Sequence, residues 1–240
     1  MKTVKGAVAG VILSACLVGS SYADRRSYVW TYEYATVPAG ISEMEYYLTA
    51  KMPDSSARET STWQHQAELE YGLTDNWDIS LYQMWKQSYG TNSTSAFKYE
   101  GFKIRSRYKF FKSGESFVDP LIYVEYIRNA NLAQPDVLEA KLILAKDIGN
   151  FNIAYNAIVE RELGRGGEIK YEYAAGVRYT MTSGFSAGFE AKGSYSEDKH
   201  ALGPVVSFET DKLWLALGAG FGLNAATEDM QARMIAGFAF

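Results

Sequence analysis

The chain has 240 residues, of which 47% are hydrophobic, 15% aromatic and 22% charged, a balance too apolar for a disordered segment. Mean hydropathy is −0.21, and no stretch supplies the roughly eighteen uninterrupted apolar residues of a spanning helix, so a polytopic helical membrane protein is excluded. With 24 basic against 28 acidic side chains the net charge is −4, which argues against nucleic acid as a partner.

Residues 1–23 carry Lys2 and Lys5, an apolar run from Ala7 to Gly19, and Ser21-Tyr22-Ala23 ahead of the charged Asp24-Arg25-Arg26. That is the layout of a secretory signal peptide with a small-x-small cleavage site. Leu13-Ser14-Ala15-Cys16 also has the form of a lipoprotein box, but the apolar run continues past Cys16, so cleavage after Ala23 is expected. The mature chain is then cysteine-free, with no disulfide and no cysteine metal site, and no cofactor is expected.

Eighteen Tyr, twelve Phe, five Trp and twenty-one Gly against five Pro favour an all-β fold, because aromatics suit a pleated face and glycines suit turns and crowded sheet positions. Residues 24–40 contain the strand-like stretch Tyr28 to Tyr34, then Pro38 and Gly40. They read as a lead-in segment, with the lumen of a barrel as one place to put it. From residue 41 onward, apolar and polar residues alternate in segments of about 10 to 14, the period of a strand with two unlike faces. Strands are predicted at 41–52, 60–73, 77–89, 96–111, 118–130, 137–148, 151–162, 168–181, 185–196, 200–210, 213–223 and 230–240. Tight connections (74–76, 149–150, 182–184, 211–212) alternate with looser ones (53–59, 90–95, 131–136, 163–167, 224–229), the mark of an up-and-down antiparallel meander. The connection at 112–117 is long for its class. Twelve strands, an even number, suit a single-chain transmembrane barrel over 41–240.

Alternation alone does not say which face looks outward. One parity of nearly every strand carries charges of both signs, and aromatics gather at strand ends: Tyr71 with Trp77, Tyr179 with Phe185, and Phe110 and Phe151 near two further turns. Paired belts of amphipathic rings imply two water boundaries. The chain ends on Met230, Ala232, Met234, Ala236, Phe238 and Phe240 at every second position. With this ending the sequence resembles the Gram-negative outer-membrane β-barrel class, whose last strand closes on Phe or Trp. The hairpin Glu70-Tyr71-Gly72-Leu73-Thr74-Asp75-Asn76-Trp77-Asp78-Ile79 is similar to one in uncharacterised members grouped with phenol degradation. The resemblance implies residence in the outer membrane, contact with its lipids and lipopolysaccharide, and recognition of Met234, Phe238 and Phe240 by the barrel-insertion machinery. It implies little about activity, because function lives in sites grafted on the fold.

The most informative constellation is a basic row, Lys103, Arg105, Arg107 and Lys109, repeating at about 6.6 to 6.8 Å along one side of a strand. Either facing carboxylates neutralise it, the candidates being Asp78, Glu125, Glu160, Glu172 and Glu190, or it lines water and attracts anions. Lys141, Lys170, Arg178, Lys192 and Arg233 intermingle with acids on other walls, so the lumen reads as mixed in charge. Glu43, Glu45, Glu68 and Glu70 point inward and read as ion-pair partners rather than a metal site. Gly218, Gly220 and Gly222 share the inward parity of 213–223 and leave lumenal room for the lead-in segment or a bend. Of two histidines, His65 shares parity with Trp63 and Leu69 and reads as an interfacial ring, while His200 reads as a solvated loop residue. The leading expectation is a monomeric, narrow, porin-like passive transport channel for small polar or anionic solutes. A non-conducting structural barrel comes second. A lipid hydrolase pairing His65 with Ser61 or Ser88 comes third, since no convincing Ser-His constellation is present and enzymatic activity is not expected.

Overall fold

The computed structural model describes residues 25–57, 60–90, 93–94 and 97–240, so the signal peptide predicted over residues 1–23 lies outside the described residues. Twelve strands form one closed antiparallel sheet: β1 Ser42–Met52, β2 Ser61–Thr74, β3 Trp77–Gly90, β4 Lys98–Lys109, β5 Asp119–Asn129, β6 Asp136–Ile148, β7 Phe151–Leu163, β8 Ile169–Thr182, β9 Phe185–Ser194, β10 Lys199–Glu209, β11 Leu213–Gly222 and β12 Met230–Ala239. A two-residue extension, Ser93–Thr94, pairs back onto the end of β3. Each strand pairs with its sequence neighbours, and β1 closes on β12 from Glu43↔Ala239 to Met52↔Met230. The Phe240 amide donates to the Ser42 carbonyl at 2.9 Å and the Ser42 amide to the Phe240 carbonyl at 3.1 Å, so the last residue of the chain fastens the seam.

Two-residue turns such as Asp75-Asn76 and Gly149-Asn150 fall at one end of the barrel, and at Gly149 the turn uses a positive φ of 61° that favours glycine. In membrane barrels the short turns face the periplasm and the longer loops face outward. The connection at 110–118 is the long one on the short-turn end, where the Gly114 amide donates to Asp119 at 2.9 Å and Lys146 Nζ donates to the Ser116 carbonyl at 2.5 Å.

Polarity is inverted relative to a soluble fold. Leu69, Leu81 and Ile104 on the outward parity are 52%, 44% and 51% exposed, whereas Glu68, Tyr82 and Arg105 beside them are 2%, 2% and 0% exposed. Apolar side chains on the outer wall match hydrocarbon, and the closed sheet leaves no strand edge to satisfy there. Two belts of rings bound that wall. At the short-turn end Tyr108 meets Phe110, Phe151 meets Tyr179, Phe185 meets Phe208 and Phe238 meets Phe240, with centroids 4.8–5.4 Å apart. At the other end stand Tyr46, His65, Trp85 and Phe97, and around the wall Tyr173, Tyr195 and His200. His200 is therefore not a loop residue: it is the second residue of β10, on the outward parity, with its Nδ1 3.1 Å from the Tyr173 hydroxyl. The strand begins one residue before the sequence reading places it, because Lys199 still pairs with Ser194.

Register shifts fall at Gly72/Thr74, Met84/Trp85 and Phe185/Ser186, and a further irregularity in the β10–β11 ladder comes from a proline. The Leu223 amide donates to the His200 carbonyl at 2.8 Å, and alternation from that pair makes Pro204 and Ala219 a hydrogen-bonded pair of the β10–β11 ladder. Proline has no amide to give, and the ladder passes from Leu202↔Phe221 directly to Val205↔Gly218. Pro204→Thr is expected to supply the missing donor to Ala219 and raise barrel stability by about 0.5–1.5 kcal/mol. Urea unfolding in lipid vesicles measures it, and an unchanged midpoint would show that the missing bond costs nothing.

The lumen as candidate functional site

Residues 25–40 lie inside the barrel. Arg25 Nη2 donates to the Asp211 carbonyl at 3.0 Å, and Gly40 N donates to the Gly72 carbonyl at 2.8 Å, so both ends of the segment sit at the short-turn mouth. Between them the chain rises to mid-barrel at Trp30 and turns back. Its amides need acceptors, and the wall supplies them. The Glu190 carboxylate accepts from the amides of Val29, Trp30 and Thr31 at 2.8, 2.9 and 2.7 Å. The Asn156 side chain takes the Tyr32 amide at 2.7 Å and returns a bond to the Tyr32 carbonyl at 3.0 Å. Asp78 accepts from the Val37 amide at 3.0 Å, and Arg178 pairs with Glu33 at 2.9 Å.

Apolar side chains of the segment fill space left by glycines. A Cβ on Gly218 would lie 2.4 Å from Val29, one on Gly220 3.4 Å from Trp30, and one on Gly176 2.5 Å from the Tyr28 ring. Tyr28, Val29 and Trp30 join Val205, Trp214, Ala216 and Ile235 in a buried cluster. Gly222 serves otherwise, lying against the Glu228 carbonyl. The short-turn half of the lumen is thus largely occupied, with a cavity of about 230 Å³ left beside Glu33, Tyr34, Asp147 and Arg178.

The basic row lies on β4, and the register explains what each cation meets. Glu70, Ser80, Arg105 and Glu125 stand at one level on β2 to β5. Ser80 is short enough for Arg105 to reach past it to Glu70 at 2.7 Å, with Glu68 at 3.0 Å and the Tyr82 hydroxyl at 2.7 Å. Arg107 binds Asp78 at 2.6 Å and Glu70 at 2.8 Å. Lys103 pairs with Glu125 at 2.8 Å, and Lys109 sits 5.9 Å from the Tyr34 ring centroid. Arg105 and Arg107 are fully buried. They form a charge-paired lattice rather than an anion-attracting wall.

The structure also sorts the candidate acids. Asp78 and Glu125 form ion pairs with the row; Glu160, Glu172 and Glu190 form none with it, although Glu160 still lies within the field of Lys103. Glu190 sits on β9 and is taken by the amides of the segment. Glu160 on β7 shares a hydrogen bond with Glu139, and Glu172 on β8 faces Glu139, Lys192 and Lys141. The row reaches its near neighbours because strands lie about 4.7–4.9 Å apart, whereas the far wall stands several strands away. Glu68 and Glu70 take the vacant roles. Glu43 accepts from the Trp214 indole at 2.5 Å, and the Tyr47 hydroxyl lies between Glu45 and Glu68 with a single proton for the two carboxylates. Glu45, Glu68 and Glu70 approach one another closely enough to hold a cation, but Arg105 already neutralises two of them.

Above the segment, toward the long loops, the lumen widens into a vestibule of about 340 Å³ whose floor is Arg26, Trp30 and Tyr32. Lys103 with Glu125, and Lys141 with Glu139 at 3.0 Å, occupy one wall. On another stand Lys51 of β1, Lys192 of β9 and Arg233 of β12, none with a carboxylate within ion-pair distance among the described residues. The sequence placed Lys192 and Arg233 on the lumen side without a distinct role and did not single out Lys51. The three come from strands far apart in sequence, so no motif joins them. At the rim, between β9 and β10, hydrogen bonds from Lys170 at 2.5 Å and Lys199 at 2.7 Å lower the Glu197 carboxyl to about 2. That clamp is complete above the ordinary carboxylate range and is lost as pH falls through about 2.

Both histidines face outward. His65 Nδ1 is 2.6 Å from the Tyr46 hydroxyl, and Ser61 accepts a bond from the Trp63 indole at 3.2 Å.

No family model matches the sequence, and no curated protein matches it. Solved structures do match the fold. The chain is similar to an outer-membrane channel from Pseudomonas putida F1, with a TM-score of 0.60 and 15% identity over 86% of this chain and 98% of that one. The fold is that of Gram-negative outer-membrane barrels. The KdgM porin, solved in complex with disordered oligogalacturonate, gives a TM-score of 0.56 at 10% identity over 82% of this chain and 98% of its own. The NanC porin gives 0.50 at 10% identity over 83% and 98%.

Two outcomes test the lumen. Arg107→Ala strands Asp78 in a buried site and leaves Glu70 to Arg105 alone, and is expected to cost about 3–5 kcal/mol in unfolding experiments; a loss under about 1 kcal/mol would show a solvated lattice. Glu190→Ala is expected to speed amide exchange at Val29, Trp30 and Thr31 by about tenfold or more, read by hydrogen-exchange mass spectrometry, while the strands stay protected.

Proposed function

We propose that this protein is a narrow channel of the Gram-negative outer membrane that passes small polar or anionic solutes and is shut in this conformation by residues 25–40. One observation carries the reading: the vestibule ends on a separately held segment, not on the barrel wall, so a continuous polar bore exists wherever that segment leaves. The similarity in fold to channels and porins supports it. The anion preference comes from Lys51, Lys192 and Arg233 and not from the basic row, whose charges are spent on Glu68, Glu70, Asp78 and Glu125. Rings of uncompensated charge are how pores select ions. A single barrel is the working unit, and it needs no catalytic residues: His65 at the lipid-facing wall is engaged by Tyr46.

The number of bonds holding residues 25–40 favours a second reading, a permanently occluded barrel with a structural role. Planar-bilayer conductance separates the two. Deleting residues 25–37 is expected to raise unit conductance severalfold over the intact protein, with anions passing more readily than cations. A correctly inserted deletion variant that stays silent overturns the channel and leaves the structural barrel.

A further inference from the structure

The vestibule holds an imbalance that the barrel itself does not correct. Lys51, Lys192 and Arg233 converge although they lie on β1, β9 and β12, because the wall between β9 and β12 carries no bulky side chains at that height. Ala201, Gly203 and Gly220 leave a gap across which Lys192 Nζ reaches Gln231 Oε1 at 2.8 Å. The Gln231 amide in turn donates to Glu228 at 2.9 Å. Arg233 is oriented from two sides: its Nε donates to Thr49 Oγ1 at 2.8 Å and its Nη1 to the Val29 carbonyl at 3.1 Å. Lys192 Nζ stands 5.3 Å from the Trp30 ring centroid. The charged groups around Lys192 are Arg233 and Lys51 of like sign, with Glu228 and Glu172 of opposite sign. Both acids lie beyond ion-pair distance of all three cations.

Elsewhere in the lumen, Arg105, Arg107, Lys103, Lys141 and Arg178 are each matched by a carboxylate, whereas Arg26 on the vestibule floor is held by the Tyr47 hydroxyl and the Thr31 carbonyl and adds to the positive excess. Like charges held together in a partly desolvated cleft repel, and that repulsion is relieved by an anion arriving from outside. Two ammonium groups and one guanidinium fixed by Thr49 and Val29 present several donors toward one space, the arrangement that takes carboxylate or phosphate oxygens.

We propose that Lys51, Lys192 and Arg233, over the floor that Arg26 and Trp30 help to make, form a saturable binding site for one small oxyanion-bearing solute, carrying a carboxylate or a phosphate group. The cavity of about 340 Å³ is at the small end of ligand sites, so the solute is of monosaccharide size or less and not a polymer. The site is built partly on the segment that closes the lumen, so occupancy lies at the closed end of the path and precedes passage. This inference deepens the channel reading by naming its substrate class, yet binding requires no conduction and the two stand or fall separately.

The test is isothermal titration of the purified full-length protein in detergent with succinate, with inorganic phosphate and with neutral glycerol. One saturable site is expected for succinate or phosphate and none for glycerol; the probe that binds identifies the head group. Lys192→Gln combined with Arg233→Gln is expected to weaken that binding at least about tenfold, with the single Lys192→Arg variant recovering most of it. Lys112→Gln, at the opposite mouth, is expected to leave it unchanged. Heat-modifiable migration on gels verifies that every variant is a folded barrel. Absence of saturable heat with both anions, or equal affinity in the folded double variant, overturns the site. A protein that binds but never conducts after deletion of residues 25–37 overturns the channel alone.

Discussion

Everything in this molecule follows from the requirement that a sheet in hydrocarbon leave no backbone group unpaired. Closure of β1 on β12 meets that requirement except where Pro204 withholds a donor from Ala219, and it divides every strand into a lipid-facing parity and an enclosed one. Charges cannot face lipid, so they are gathered within a bore too narrow to hydrate them all. The interior must therefore solve a pairing problem, and it does so in two ways. On the β2 to β5 side, acids and bases on neighbouring and next-but-one strands neutralise each other. In the short-turn half, the lead-in segment brings its own amides and rings to groups that would otherwise face emptiness.

Those two solutions explain why a lumen so rich in arginine presents little attraction for anions along β4. Arg105 and Arg107 act as ties between strands, and the carboxylates they hold are also contacts of the lumenal segment: Asp78 serves Arg107 and the Val37 amide together. The lattice and the closure of the bore are thus joined through one carboxylate. The uncompensated positive charge is displaced to another wall, where glycines and alanines thin the lining.

Strand positions were legible because a period of two over about ten residues has few other physical explanations, and the bounds fall within two residues of those read from pattern alone. Parity was legible for the same reason, and the inward placement of the β4 cations followed directly. Pairing was not. That Arg105 meets Glu70 depends on Ser80 being small on the intervening strand, and that Glu190 forms no ion pair depends on where the lead-in segment turns; both are facts of register and closure that no local pattern contains. The room left by Gly218 and Gly220 could be read in the sequence, whereas the use of Gly176 by Tyr28 could not, since it joins positions far apart in the chain. His200 opens the predicted strand 200–210 but reads as a loop residue from its polar neighbours Asp198 and Lys199; the parity it shares with Leu202 places it on the wall.

Because Arg25 and Gly40 lie at the same mouth, residues 25–40 form a tongue and not a thread. A chain passing through a closed ring would have to be captured before the ring shut, or be pulled lengthwise to escape. A tongue enters and leaves sideways through one opening, with the twelve strands already joined around it. Assembly of the wall and filling of its interior are therefore separable events, and the second can be undone without breaking a single bond of the first.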